Sequence, residues 1–515
     1  MPLSRRDFLK LGALSTVATG AAGCRAVGRQ LAQEELPQPL AAPAPADAAG
    51  LQTAPAAGLP ALTVDPVRRF LNRAGYGPRP GDVARVREVG LDSYLEEQLD
   101  PEHIPDRAAN LIARQTTLYQ MDPSQLIEEE PRDATVELLG TTVLRQLYSH
   151  RQLYEAMVEF WSDHFNIYLR KNQAMPLAKL LDDRDVIRPH ALGRFRDLLG
   201  ATAQSAAMLI YLDNTRNLAA HPNENYAREL LELHTMGVDG GYTQQDVQEL
   251  ARVLTGWNVA RRGRRKGQVV FRPEEHDDGA KQFLGHTLPA GQGEADLVQV
   301  LDILADHPAT AQFIATKLVR RFVADEPPAA LVSRAADIFR SSDGDIKSVL
   351  RLIFLSAEFA AAPPKLKRPH TYMISVLRAL NTDLNPGRGR VLADWMQLLG
   401  QTPFMWPPPN GYPDLSTAWT ANLLPRWNFA LALLHEQIGG MRPPLEEIVA
   451  AGKAASGPEA LALFAGLLWG RPLTPTEEAL FTDYIGSGAL GDSATRARLR
   501  DSIAMMLAGP AFQWT

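Results

Sequence analysis

From Asp65 onward, apolar residues recur at the three- and four-residue spacing that lines one face of a helix, and this pattern predicts a mostly α protein. "DPVRRFLNRAGYGPRPGDVARVREVGLDSYLEEQL" reads as three short helices punctuated by Gly and Pro, with Pro80 in a first helical turn and Asp92 as a cap. Ala134 to Phe165 reads as one long amphipathic helix or a pair broken near Ser149, and "IRPHALGRFRDLLGATAQSAAMLIYLD" adds one or two more. "HPATAQFIATKLVRRFV", "LVSRAADIFRS" and "IKSVLRLIFLSAEF" form a three-helix module. After Pro363 a second helical region begins, is interrupted by "FMWPPPNGYPD", and has its last helix opening on the capping box Thr474-Pro475-Thr476-Glu477. Strand-like patterning is persuasive only over Trp257 to Pro273, where two short β-prone runs flank a Gly-containing basic turn, the grammar of one short hairpin.

Length turns this list of helices into an architecture. At 515 residues the chain exceeds the roughly 250 to 300 at which single cores stop growing, so two helical subdomains are expected, 65–362 with the hairpin near 257–273 and 363–515. With 45% apolar residues, 22% charged residues and a net charge of -6, nothing in the composition calls for nucleic acid as a partner. No later stretch is long and apolar enough to span a membrane.

The first 64 residues carry an address. Arg5 and Arg6 give a charged start, Leu9 to Ala22 a short, weakly apolar run, and Ala21-Ala22-Gly23 the small residues before a processing point, the order of an export signal over 1–24. "SRRDFLK" resembles the twin-arginine export signal, a route used by proteins that fold before crossing, often with a cofactor already seated. Cys24, the only cysteine, follows Ala-Ala-Gly, which resembles a lipobox. Two readings follow: a lipid anchor at Cys24, or a cysteine discarded with the signal and a soluble mature protein. Residues 25–64, rich in Ala and Pro without an apolar period, read as an extended tether. With one cysteine, no intramolecular disulfide can form.

Candidate chemistry sits on two polar-rich helices. At about 100° per residue, Tyr154, Met157, Val158, Trp161, Phe165 and Tyr168 share a face with His164, while Glu155, Glu159 and Asp163 fall opposite, as a solvated acidic stripe would. His164 is therefore either a core histidine satisfied by a backbone carbonyl or carboxylate, or a ligand or acid–base group. In "HPNENYARELLELHTMG", Asn223 can cap and Gly237 can end the helix. Glu224, Arg228 and Glu232 form a charge ladder, Glu229 lies at the border of the faces, and His234 lies near the apolar stripe. A catalytic set of His164, Glu229 and Arg228, or a metal set of His164, Glu229 and His234, is geometrically open between the two helices. Thr243 and Asp246 read as a capping box. The turn carrying Arg261, Arg262, Arg264, Arg265 and Lys266 is either a solvated tip or a seat for phosphate, sulfate or an acidic polymer. His276, Asp277 and Asp278 offer metal-compatible types in a loop that a turn equally explains. Phosphate loops, nucleophile elbows, His-Glu-x-x-His and Cys-x-x-Cys motifs do not occur, so no cofactor is named by motif.

Together "FWSDHFN", "HPNENYARELLELHTMGVDGGYTQQDVQELARVLTGW", "HDDGAKQFLG" and "PPPNGYPD" resemble a bacterial family known as domain of unknown function 1800, over about 65–515. The resemblance implies a mostly helical exported protein that works beside a sulfatase- or phosphatase-like exported protein. It picks out Trp161, His164, Asn223, Glu224, Asn225, Arg228, Glu229, Thr255, Gly256 and Trp257, while at His234 the family pattern is often aromatic. The expectation is an exported, lipid-anchored cell-envelope binding or accessory protein, with no membrane contact beyond the lipid. The alternative is an envelope hydrolase or oxidoreductase using a metal or cofactor between the His164 helix and the Asn223–Gly237 helix.

Overall fold

Asp65 accepts the Val67 N–H and Pro66 sets the first helical φ, so the pair starts α1 (Pro66–Arg73). The computed structural model describes residues 65–384, 389–486 and 488–515. The signal, the processing point at Cys24 and the tether lie outside these residues. α2 (Asp82–Val89) starts from left-handed Gly81 and α3 (Leu91–Leu99) from Gly90. Pro80 therefore precedes its helix and Asp92 lies within the first turn, because glycine backbones make both junctions.

The long apolar pattern is a pair of helices, α4 (Pro131–Tyr148) and α5 (Gln152–His164). Ser149 breaks them: its backbone is extended, and its hydroxyl donates to Asp106 and accepts the Arg151 N–H. After α6 (Phe195–Ala203) and α7 (Ala206–Tyr211), Asn223 caps α8 (Glu224–Glu229), whose path continues as a π-helical turn over Leu230–Thr235 and ends at left-handed Gly237. The Thr243/Asp246 capping box opens α9 (Gln244–Val253).

The expected hairpin pairs β1 (Trp257–Val259) with β2 (Val269–Phe271), Trp257 opposite Phe271. Two further ladders were not expected: β3 (Lys281–Phe283) with β4 (His286–Leu288), and β5 (Asp383–Leu384) with β6 (Met441–Arg442). Strands of two or three residues are too short to show alternation. The three-helix module is α10 (Pro308–Phe322), α11 (Ala329–Ser341) and α12 (Ile346–Phe354). Beyond it come α13 (Pro369–Ala379), α14 (Gly389–Leu399), α15 (Leu423–Leu434), α16 (Gly457–Trp469) and α17 (Pro475–Ile485). The Thr474 capping box opens α17, but α18 (Ser493–Ala508) and a one-turn helix at Pro510–Gln513 follow it. The fold is thus mostly α.

One buried cluster gathers side chains from Phe70 through Ala362 and includes Trp161 and Phe165 of α5. A second joins Tyr76 and Val143, Leu144 and Leu147 of α4 to α13 through α18. The seam between the two cores therefore runs between α4 and α5.

Candidate functional site

Glu155, Glu159 and Asp163 step by four along α5, and all three face this seam rather than water. This corrects the expected solvated stripe: arginines from distant segments cover it. Arg188 reaches both Glu155 oxygens at 3.1 Å and gives its Nε–H to Asp183 at 2.8 Å. Arg368 donates to Asp163 at 2.6 Å and to Asp414 at 3.2 Å, and Arg321 donates to Asp414 at 2.9 Å. Both guanidiniums lie 3.4 Å from Glu159 Oε1. Burial pushes the Glu159 carboxyl up, but Arg321 and Arg368 override it and hold it near 2. Asp163 goes the other way, lifted by burial to about 6 despite Arg368.

A second chain of hydrogen bonds enters from α13. His370 Nε2 meets Gln146 Oε1 at 2.7 Å, the Gln146 amide donates to the Tyr76 hydroxyl at 2.7 Å, and that hydroxyl donates to Glu159 Oε2 at 2.5 Å. Since the Gln146 oxygen can only accept, His370 carries its proton on Nε2 and leaves Nδ1 as a bare acceptor. Burial takes His370 down to about 4, so it is neutral at pH 7. Gln146, Glu155, Glu159, Ser162, Asp163, Arg188, Arg368, His370 and Tyr412 help line a recess with about 20 Å³ of space for water centres, room for about one water. Five lining residues carry a buried polar atom without a hydrogen-bond partner: Glu159 Oε1, which is held only by the two guanidiniums at 3.4 Å, and Ser162 Oγ, Arg188 Nη2, Arg368 Nε and His370 Nδ1. Two of these atoms donate, two accept and the hydroxyl does either.

The segment Trp406–Asp414 straps over the end of α5. Asn166 donates to the carbonyls of Trp406 at 2.9 Å and Pro408 at 2.7 Å, and Tyr211 donates to that of Pro407 at 2.7 Å. Gly411, at φ 71°, lies against the Asp163 backbone so closely that a Cβ would overlap its carbonyl. Gly411→Ala is expected to cost about 2 kcal/mol or more, from positive φ and steric overlap together. Denaturant unfolding checks this, and an unchanged midpoint would refute the close fit.

The sequence-predicted residues lie elsewhere. His164 is buried among the rings of Phe160, Trp161, Phe165, Phe195 and Phe313. Its Nε2–H donates to the His234 carbonyl at 3.0 Å, and its Nδ1 accepts from Lys317 Nζ at 2.9 Å. Burial, Lys317 and His234 keep His164 uncharged, and burial draws Lys317 itself down to about 8. The His234 ring lies 6.2 Å from that of His164, but both its nitrogens lack partners. Glu229 is half-buried; burial and Glu232 raise it, and its charge in turn helps raise the nearby Tyr211 hydroxyl. Arg228 stays on the surface with Glu224, Glu232 and Gln244. His164, Glu229 and Arg228 are thus not among the residues that line the recess. Among the described residues, no group of three or more His, Cys, Asp or Glu is placed to hold a metal.

The remaining motifs pin the hairpin. Gly256, at φ 80°, packs on the Arg272 carbonyl and His276. His276 bonds the Thr255 carbonyl at 2.8 Å and Asp296 at 3.2 Å, Lys281 donates to Asp296 at 2.6 Å, and Asp277 pairs with Arg252. At the tip Arg261, Arg262, Arg264 and Arg265 are exposed, while Lys266 pairs with Glu128.

A family model described as "Protein of unknown function (DUF1800)" matches residues 69–514. The chain belongs to the DUF1800 family. No curated protein and no solved structure matches it. Two segments that carry the DUF1800 resemblance, Phe160–Asn166 and Pro407–Asp414, meet at the strap, held by Asn166, Arg368 and Gly411. Sequence reasoning missed Tyr76, Gln146, Arg188, Arg321, Arg368 and His370. The available signal was arginine and histidine in apolar helical contexts, as in "LVRRFV" and "KRPHTYMISV", where periodicity leaves no polar face for them.

Proposed function

We propose that this DUF1800 protein is an exported, lipid-anchored cell-envelope binding protein, acting with an exported sulfatase- or phosphatase-like partner or a surface polymer, with the strapped recess as its ligand seat. The observation that supports a seat is the set of four buried polar atoms without a partner, Ser162 Oγ, Arg188 Nη2, Arg368 Nε and His370 Nδ1, on residues that line a space of one-water size. Buried polar groups are normally satisfied, and leaving one unpaired costs about 1–3 kcal/mol. A group that both accepts and donates, such as a hydroxyl, matches the donors Arg188 Nη2 and Arg368 Nε together with the acceptor His370 Nδ1. A space of one-water size admits a single hydroxyl and not a whole sugar ring, so a surface polymer would reach it with one pendant hydroxyl. The twin-arginine pattern at Arg5 and Arg6, with Cys24 after Ala-Ala-Gly, supports the envelope address. The exposed arginines of the hairpin tip suit an acidic stretch of such a polymer.

Thermal melts of the full chain with glucose, N-acetylglucosamine or acetate test the seat. The two sugars, which carry pendant hydroxyls, are expected to raise the midpoint more than acetate, which only accepts, and His370→Phe or Ser162→Ala is expected to abolish the rise. Indifference to all three probes would sink the reading. The second reading, an acid–base enzyme at the same recess, is favoured by Asp163 near pH 6 beside a neutral His370. It requires hydrolysis of nitrophenyl ester, phosphate or glycoside probes that Asp163→Asn removes.

A further inference from the structure

The apolar side chains that the second core leaves uncovered form a stripe. Leu424, Trp427 and Leu431 fall three and four residues apart on α15 and are 63%, 45% and 42% exposed, while Arg426, Phe429, Ala430 and Leu433 turn inward. Leu398 of α14, 61% exposed, and Met505 of α18, 40% exposed, flank it. Asn422, just before α15, holds the Leu399 carbonyl, and the Trp427 indole N–H donates to the Ala508 carbonyl at 3.2 Å. The one polar atom of that indole therefore points into the fold, and the ring shows hydrocarbon to the outside.

The start of α1, where the described residues begin, is linked to this stripe through α16 and α18. Arg68, on the first turn of α1, donates to the carbonyls of Gly466 at 2.6 Å and Leu467 at 3.0 Å near the end of α16. Trp469, two residues on, donates to the Met506 carbonyl at 3.1 Å, next to Met505. A contiguous path of contacts thus runs from the start of α1 to the edge of the stripe.

We propose that the stripe is a docking surface that lies on the lipid bilayer to which Cys24 is anchored; this rests on the proposed lipid anchor. The stripe is one narrow row of apolar side chains, whereas a stable protein interface takes roughly 800 Å² per partner with a polar rim, so a lipid surface suits it better than a second copy. A shallow insertion of Leu and Trp suits the lipid interface, where Trp is enriched and where each well-buried apolar side chain adds about 1.5–3 kcal/mol. Tethering adds to a contact that the stripe makes by itself. The forty residues 25–64 would span about 120 Å in polyproline form and about 140 Å fully extended, so an anchored domain stays at high effective concentration near the bilayer. The stripe is uncharged, so docking is insensitive to salt.

The test uses the full chain carrying Cys24→Ser, which no lipid can hold, with vesicles of phosphatidylethanolamine and phosphatidylglycerol containing brominated lipid. The protein is expected to sediment with the vesicles equally at low and high salt. Its tryptophan emission is expected to be quenched, and the quenched component is lost in Trp427→Phe while sedimentation persists. Leu424→Glu with Leu431→Glu is expected to weaken binding about tenfold or more, with the thermal melt unchanged. Absence of sedimentation overturns the proposal. So does binding lost at high salt, which is a contact of the arginine tip, or a dimer in solution that the same variants split. Mass spectrometry of the wild-type chain from its native membrane separates the two readings. An unlipidated chain whose Cys24→Ser form still docks defeats the anchor alone, and a lipidated chain whose Cys24→Ser form does not dock defeats the stripe alone.

Discussion

Arg368→Met is expected to lower the unfolding free energy by about 3–5 kcal/mol, the range for breaking a buried ion pair from one side. Arg368 is buried and touches three carboxylates from two parts of the chain: Asp163 at 2.6 Å and Glu159 at 3.4 Å on α5, and Asp414 at 3.2 Å in the strap. Methionine fills similar volume but leaves Arg321 as the one guanidinium on Glu159 and Asp414, and it takes from Asp163 its hydrogen-bonded cation. At roughly 2.1 cal/mol/K per residue of unfolding entropy, a loss of this size moves the melting midpoint by about 4 °C in a fold of this length. Arg368→Lys recovers only part, because an ammonium cannot present the forked donors that span separate carboxylates. Adding Asp163→Asn to Arg368→Met is expected to restore stability relative to the single variant, since the abandoned carboxylate is then gone. Denaturant melts of the four proteins decide it. An Arg368→Met protein within about 0.5 kcal/mol of wild type would mean that the strap opens and water replaces the guanidinium.

This network also marks where sequence reading stops. Helix capping at Asn223, Thr243 and Thr474 was legible because each cap depends on residues within a few positions, and the hairpin at Trp257 because one local turn joins its two runs; the break at Ser149 shows in the local pattern although Asp106 holds its hydroxyl from 43 residues away. The same local rule misplaced Glu155, Glu159 and Asp163. Periodicity sends a charged stripe outward, and the partners that allow burial lie far along the chain at Arg188, Arg321 and Arg368, the last of them 205 residues beyond Asp163. The π-helical turn at Leu230–Thr235 had no sequence signature either, and it shifts the register on which the pairing of Glu229 with His234 was drawn. His164 was read on the correct, buried face, but Lys317, which settles its tautomer, comes from 153 residues downstream.

His234→Phe is expected to gain on the wild type as the solution becomes more acidic, by about 2 kcal/mol between pH 7 and pH 5. The His234 ring is buried against Phe165 and Tyr226, both its nitrogens are unpartnered, and burial depresses its affinity for a proton to about 3. In the unfolded chain a histidine takes up its proton near 6.5. Between these limits the unfolded state binds a proton that the folded state does not, so wild-type stability falls by about 1.4 kcal/mol for each pH unit of acidification, and the variant lacks this term. At pH 7 the two proteins are expected to lie close together. Phenylalanine removes an unsatisfied buried N–H, worth about 1–3 kcal/mol, and introduces overpacking of similar size. Because the packing difference does not titrate, urea melts at pH 7, 6 and 5 isolate the proton term from the fit of the ring. A difference that stays flat with pH would show that His234 has a partner in solution. A variant that loses most at neutral pH and recovers in acid would point instead to a metal held by the neutral imidazole, because protons compete with such a ligand.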